Sequence, residues 1–112
     1  MNLSFASEQI FNKFVTRVYH PKLAEFLWWW CDQFYEAVIT SCWRSDGVHS
    51  TGRAVDLRSY IYSNPEGMAK LVNAEWEYDP KRPGKYDVVY YHGPPNHFHI
   101  QVHDRTTYGR NP

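Results

Sequence analysis

Apolar positions divide the chain into a helical first third and a strand-rich remainder. Between residues 7 and 18, Ile10, Phe11, Phe14 and Val18 recur at helical spacing. His20-Pro21 interrupts that pattern, because proline disfavours helix at the residue before it and suits the first turn of a new one. A second helix is predicted from Pro21 to about Tyr35, with Leu23, Phe26, Leu27, Trp30 and Phe34 as its apolar stripe. Trp28 and Trp29 partly leave the stripe, which assigns them to a second surface.

From Ala37 the pattern changes. Ala37 to Trp43, with Val38, Ile39 and Thr40 at its centre, predicts a strand. The polar stretch 44–52 predicts a loop, and Arg53 to Arg58 a second strand. Asn64-Pro65-Glu66 has the composition of a helix start: an Asn N-cap, proline at the first helical position, an acid near the positive end of the dipole. Met68, Leu71, Val72 and Trp76 form the expected buried face of that helix. After a Pro/Gly/basic loop from Asp79 to Lys85, Tyr86 to Tyr91 predicts a third strand, and Gly93-Pro94-Pro95 a turn. His97 to His103 predicts a fourth, with a frayed polar tail from Asp104 on. The fold class is α+β: a small antiparallel sheet packed against two N-terminal helices and one inserted helix.

The last predicted strand alternates strictly. Phe98, Ile100 and Val102 face the core, and His97, His99, Gln101 and His103 face the other way. Three imidazoles on one polar face are not the composition of an ordinary solvated strand. In the second strand Val55 and Leu57 share one face, Ala54 and Asp56 the other. An aspartate inside a strand is itself informative, because Asp is depleted there and costly to bury unpaired. If both strands lie in one sheet, Asp56 shares the histidine face, and the Gly47-to-Gly52 loop can fold His49 back over it. Two imidazoles and one carboxylate suit zinc. The expected metal site therefore joins Asp56, His49 and an imidazole of the last strand's polar face, with a fourth position open in the catalytic rather than the closed structural pattern. His20, before its proline, reads as a satisfied polar residue.

Composition narrows the setting. A length of 112 residues fits one domain spanning 1–112, and 43% hydrophobic with 18% aromatic residues excludes a disordered tail. Zero net charge without a basic block argues against nucleic acid as a partner. No apolar run reaches membrane-spanning length, and Met1 to Ser7 lacks the basic and apolar regions of a signal peptide. The expectation is a chain made in the cytoplasm without a membrane span. Cys31 and Cys42 make no disulfide framework and read as buried thiols. The sequence sets no oligomeric state.

The segment Ser45-Asp46-Gly47-Val48-His49-Ser50-Thr51-Gly52-Arg53-Ala54-Val55-Asp56 resembles the His-x-x-Gly-x-Ala-x-Asp signature of the zinc D-Ala-D-Ala carboxypeptidases, peptidase family M15. Thr40 to Ser45 resembles that family's strand ending in a functional arginine, and His97-Phe98-His99 its closing His-x-His. The likeness covers about residues 38 to 103, and the initial helices match only in kind. It implies a zinc metallopeptidase cutting bonds next to D-amino acids in peptidoglycan peptides, of the kind found among phage endolysins, which act on the cell wall once released. By position it makes His49, Asp56 and His99 the zinc ligands. It makes Arg44 the group on the substrate carboxylate or developing oxyanion, and Gly52 and Ala54 small because the chain passes close to the metal.

The chain departs from the family pattern at Asn96, where many members carry a Glu or Asp general base three residues before the last histidine. An amide cannot take a proton from water. His97, on the face of His99, is the nearest substitute, with His92 and Asp87 as others. The loop between Arg44 and His49 is also short, at four residues. The signalling domain of hedgehog proteins resembles this fold too, so a zinc-containing peptide- or cell-wall-binding module without turnover is the alternative.

Overall fold

The computed structural model describes residues 2–43 and 51–109. The chain opens on a strand that its apolar pattern does not announce. β1, Asn2–Phe5, is followed by α1, Glu8–Val15, whose first turn is capped by the Ser7 hydroxyl accepting the Ile10 N–H at 3.2 Å. Helix α2, Pro21–Phe34, begins at the predicted proline, with His20 as N-cap: its Nδ1 accepts the Lys22 N–H at 3.1 Å. β2, Glu36–Ser41, and β3, Ala54–Arg58, come next. α3, Pro65–Glu75, starts where Asn64 accepts the Gly67 N–H, and runs into the two-residue β4, Trp76–Glu77. β5, Val89–His92, β6, His97–Gln101, and β7, Thr107–Tyr108, complete the chain.

The main sheet has the order β1-β2-β3-β6-β5, with β1 parallel to β2 and the other pairs antiparallel. A second sheet pairs β4 with β7. This is the predicted α+β class, with three helices and a mostly antiparallel sheet among the described residues. α1 lies against β1 and β2, α2 against β2, and α3 against β5. Between helices and sheet, Trp30 meets Phe98 edge-on at 5.1 Å, and Phe26 meets Trp76 at 5.1 Å. Leu23, Phe26, Trp30, Val55, Leu57, Phe98, Ile100 and Val102 are all fully buried, as the α2 stripe and the strand alternation require. Trp29 covers the predicted second surface, against Trp76 and Tyr108, while Trp28 stays 70% exposed. Both cysteines are buried thiols outside any disulfide, and among the described residues no helix is long and apolar enough to cross a membrane.

Several boundaries move for identifiable reasons. α1 stops at Val15 because Thr16 closes it onto Asn12 through both N–H and hydroxyl, which leaves Val18 outside the helix and 92% exposed. In α3 the buried positions are Ala69, Val72 and then Trp76, one face at i, i+3 and i+7, so Leu71 lies off that face and is 52% exposed. The third strand begins at Val89 rather than Tyr86, and the fourth ends at Gln101 rather than His103. As far as Gly109 the tail is tied down rather than frayed. Arg105 donates two parallel hydrogen bonds to the buried Asp79 carboxylate, Nε at 2.7 Å and Nη2 at 2.8 Å. Thr106 is fully buried and its hydroxyl donates to the Tyr78 carbonyl at 2.8 Å.

Candidate functional site

β3 sits mid-sheet, hydrogen-bonded on both sides, so its side chains are placed by two ladders. On the face away from the aromatic core, the register sets Asp56 opposite His99, Ala54 opposite Gln101 and Arg58 opposite His97. One strand further, Tyr90 lies opposite His99 and His92 opposite His97; on the other side Ser41 pairs with Asp56. The result is a cross-sheet row Ser41, Asp56, His99, Tyr90, with His97 and His92 in the next row. The predicted sharing of one face by Asp56 and His99 is therefore met by direct pairing.

Asp56 is 6% exposed, so its carboxylate needs partners in place of water. His99 Nδ1 stands 3.2 Å from Asp56 Oδ1, and His97 Nε2 stands 4.0 Å from the same oxygen. The tautomers follow from the surroundings. Gln101 Nε2 donates to the Asp87 carbonyl at 3.2 Å, which turns its Oε1 toward His99 Nε2 at 3.1 Å. An amide oxygen and a carboxylate oxygen both accept, so each of these two contacts calls for a proton on the His99 nitrogen that faces it. His97 Nδ1 lies 2.8 Å from the Pro95 carbonyl, which places that ring's proton on Nδ1 and leaves a lone pair on Nε2. His92 stacks near His97, with ring centroids 4.6 Å apart.

Other candidates fall elsewhere. His103, expected on the same polar face, lies past the end of β6, where its Nδ1 accepts the Arg105 N–H at 3.2 Å and its ring faces Tyr78. Asp87 reaches the site through its backbone: besides its carbonyl on Gln101, its N–H donates to the Tyr90 hydroxyl at 2.9 Å. The Asn96 carbonyl accepts the Ser59 hydroxyl at 3.0 Å, and its side chain lies where a β-carbon on Gly93 would stand. Arg44 and His49 lie outside the described residues. Among the described residues, no group of three or more His, Cys, Asp or Glu side chains is arranged to hold a metal ion. Asp56 and His99 are thus two of the three expected ligands.

Both flanks of the segment 44–50 are anchored to the α1–α2 connection. The Trp43 N–H donates to the Tyr19 hydroxyl at 3.0 Å, and the Arg17 guanidinium lies 4.6 Å from the centre of the Trp43 ring. Burial above all pushes the Tyr19 phenol well above its ordinary range. At the other flank the Gly52 carbonyl accepts the His20 N–H at 2.9 Å. Gly52 has φ +71°, and a β-carbon there would collide with the Val18 carbonyl. Close backbone approach thus accounts for this glycine.

Sequence reasoning passed over Gln101 and Tyr90. The alternation that placed His99 also put Gln101 on its face, which was the available signal; Tyr90 became visible only through strand pairing. No protein-family model, curated protein or solved structure matches this chain.

Proposed function

We propose that this chain is a zinc metallopeptidase hydrolysing peptide bonds next to D-amino acids in peptidoglycan. The observation that carries the reading is the Asp56–His99 pair: a buried carboxylate with an imidazole Nδ1 3.2 Å from its Oδ1, at the centre of the sheet. This donor set fits zinc, with His49 from the adjoining segment as the third ligand. When bound, zinc supplies a Lewis acid and brings the pKa of a coordinated water down to about 7. The chain's own groups take the remaining roles. Arg44 binds the substrate carboxylate or the oxyanion. His97 accepts a proton at Nε2, the nitrogen that the Pro95 carbonyl leaves with its lone pair.

Metal analysis and digestion of purified peptidoglycan test this. One bound zinc per chain and release of soluble peptide fragments are expected, with both lost in Asp56→Asn and His99→Ala. His97→Ala is expected to keep zinc and lose turnover by about 10²-fold or more. Absence of bound zinc in the purified, zinc-supplemented chain would overturn the proposal.

One observation favours the module without turnover. Asn96 stands where the resembled family carries its base, and its side chain lies against Gly93. Zinc-dependent binding of peptidoglycan with no fragment released would decide for this second reading.

A further inference from the structure

We propose that the outer edge of β1 docks a second copy of this chain, the two β1 strands pairing antiparallel about a two-fold axis through Ser4. The proposal stands on the fold and does not depend on the zinc reading.

The main sheet ends on β5 at one side and on β1 at the other. A sheet edge is a row of unpaired N–H and C=O groups that invites another strand, and proteins ordinarily cover it, charge it or break it with proline. The β5 edge is covered. There the Asn73 side chain stands in for a strand: its Nδ2 donates to the Val89 carbonyl at 2.8 Å, and its Oδ1 accepts the Val89 N–H at 3.1 Å. Among the described residues β1 has no such guard. The Asn2 and Ala6 N–H groups donate inward, to the Tyr35 and Ile39 carbonyls at 2.7 and 2.9 Å. Successive residues of a strand direct their backbone groups to opposite sides, so those of Leu3 and Phe5 point outward. From Asn2 to Ser7 the sequence holds neither a charge nor a proline.

The helix-side face of the same strand is apolar. Leu3, 42% exposed, lines a groove of about 350 Å³ with Phe14, Ala24, Leu27, Trp28 and Cys31. Phe5 meets Phe11 edge-on at 5.2 Å, and Phe11 is itself 44% exposed. Open edge and apolar surface thus share Leu3, and one occupant covers both. Symmetry selects a second copy. A two-fold contact sets each group near the axis against its own counterpart, which an uncharged edge tolerates and a charged one does not. With the axis through Ser4, Leu3 of each copy stands opposite Phe5 of the other, and both pairs exchange N–H···O=C bonds in each direction. Trp28 and Phe11, at 70% and 44% exposure of side chains of about 150–250 Å², offer roughly 170–290 Å² per copy. Even with Leu3 and the edge itself this falls short of the about 800 Å² per partner of a standard interface, so the dimer belongs to the weak class and forms at high concentration.

Sedimentation velocity of the full chain from about 1 µM to about 1 mM tests this, against the weak-interface class. The mean mass should rise toward two copies, and Leu3→Lys, which charges the edge, should weaken association at least about 10-fold. Ser4→Cys reads the register. Directly opposed residues of a non-hydrogen-bonded pair have Cα atoms about 4.5 Å apart, within disulfide reach, so mild oxidation should link two copies. Asn2→Cys, opposite Ala6 in this register, should not link. A chain that stays monomeric to about 1 mM overturns the proposal, as does a dimer that Leu3→Lys leaves intact and Ser4→Cys does not link. A monomer whose Leu3 and Phe5 amide shifts move only when a hexapeptide of alternating valine and threonine is added gives the edge to a foreign strand and overturns it too.

Discussion

Phe98 lies between the two histidines of the site and points the opposite way, so its replacement tests whether the aromatic core holds the strand that carries them. Its side chain is fully buried, with Trp30 at 5.1 Å, Tyr91 at 5.6 Å and Tyr62 at 6.0 Å between ring centroids. A buried phenylalanine removes about 150–250 Å² from water, which at roughly 25 cal/mol per Å² is about 4–6 kcal/mol as an upper bound. Truncation to alanine keeps the β-carbon but adds the cost of the cavity and of the lost ring contacts. Phe98→Ala should therefore lose about 3–5 kcal/mol, a large share of the 5–15 kcal/mol of a typical domain. Urea unfolding followed by tryptophan fluorescence measures this, since Trp30 reports on the same contact. Leu71→Ala, at a position 52% exposed, is the control and should stay within about 0.5 kcal/mol. A loss below about 1.5 kcal/mol for Phe98→Ala with an unchanged m-value would refute the reasoning, because a packed core does not close over a missing ring so cheaply.

Three further outcomes follow from the polar contacts. Thr106→Val leaves the His103 N–H and the Tyr78 carbonyl without the hydroxyl they share, at 2.7 and 2.8 Å, and should cost about 2 kcal/mol in the same urea assay; Thr106→Ser, which keeps the hydroxyl, should cost clearly less. The paired N–H groups of Arg105, opposed by burial and reinforced by Arg82, hold the Asp79 carboxyl well below the usual carboxylate range. A depressed folded pKa gives stability that is present above about pH 4 and is lost as pH falls below it; Arg105→Gln should flatten that acid limb in thermal melts. Burial chiefly pushes the Tyr62 phenol up to about 12, from about 10 in the unfolded chain. The folded state then holds a proton that the unfolded state releases, so stability should fall between about pH 10 and about pH 12, and Tyr62→Phe should remove that slope.

Elements that rest on local chemistry were legible in the sequence. Pro21 and the Asn64-Pro65 pair start their helices at the predicted positions, and strict alternation assigned each of Phe98 to Gln101 to the correct face. Elements that rest on distant partners were not. β1 is four residues whose reason for being extended is β2, more than thirty positions away, and the residues of β1 are mostly exposed, so no apolar pattern marks it. Arg105 reads as part of a polar tail because it is charged; its place comes from Asp79, 26 residues back. The site divides in the same way. Period two suffices to bring Asp56 and His99 to one face, but only the register makes them direct neighbours rather than two residues apart. His103 shows the limit of extrapolating a period: the alternation continues in the sequence after the ladder has ended at Gln101.

The same register explains why a carboxylate is tolerated at the middle of this sheet. Asp56 belongs to the middle strand of the five, and its neighbours on that strand, Val55 and Leu57, are fully buried against the aromatic core. Moving Asp56 would mean moving them. Packing on one face thus fixes the coordinates of charge on the other, and the cost of confining that carboxylate falls on a rigid element. His99 is fixed likewise by Phe98 and Ile100, and Gln101 Oε1 meets its Nε2 at 3.1 Å. The third expected ligand, His49, is on a connection whose flanks at Trp43 and Gly52 are anchored to the α1–α2 turn. In the proposed centre, two ligands owe their places to the sheet ladder, and the third depends on how the chain spans between two tethered ends.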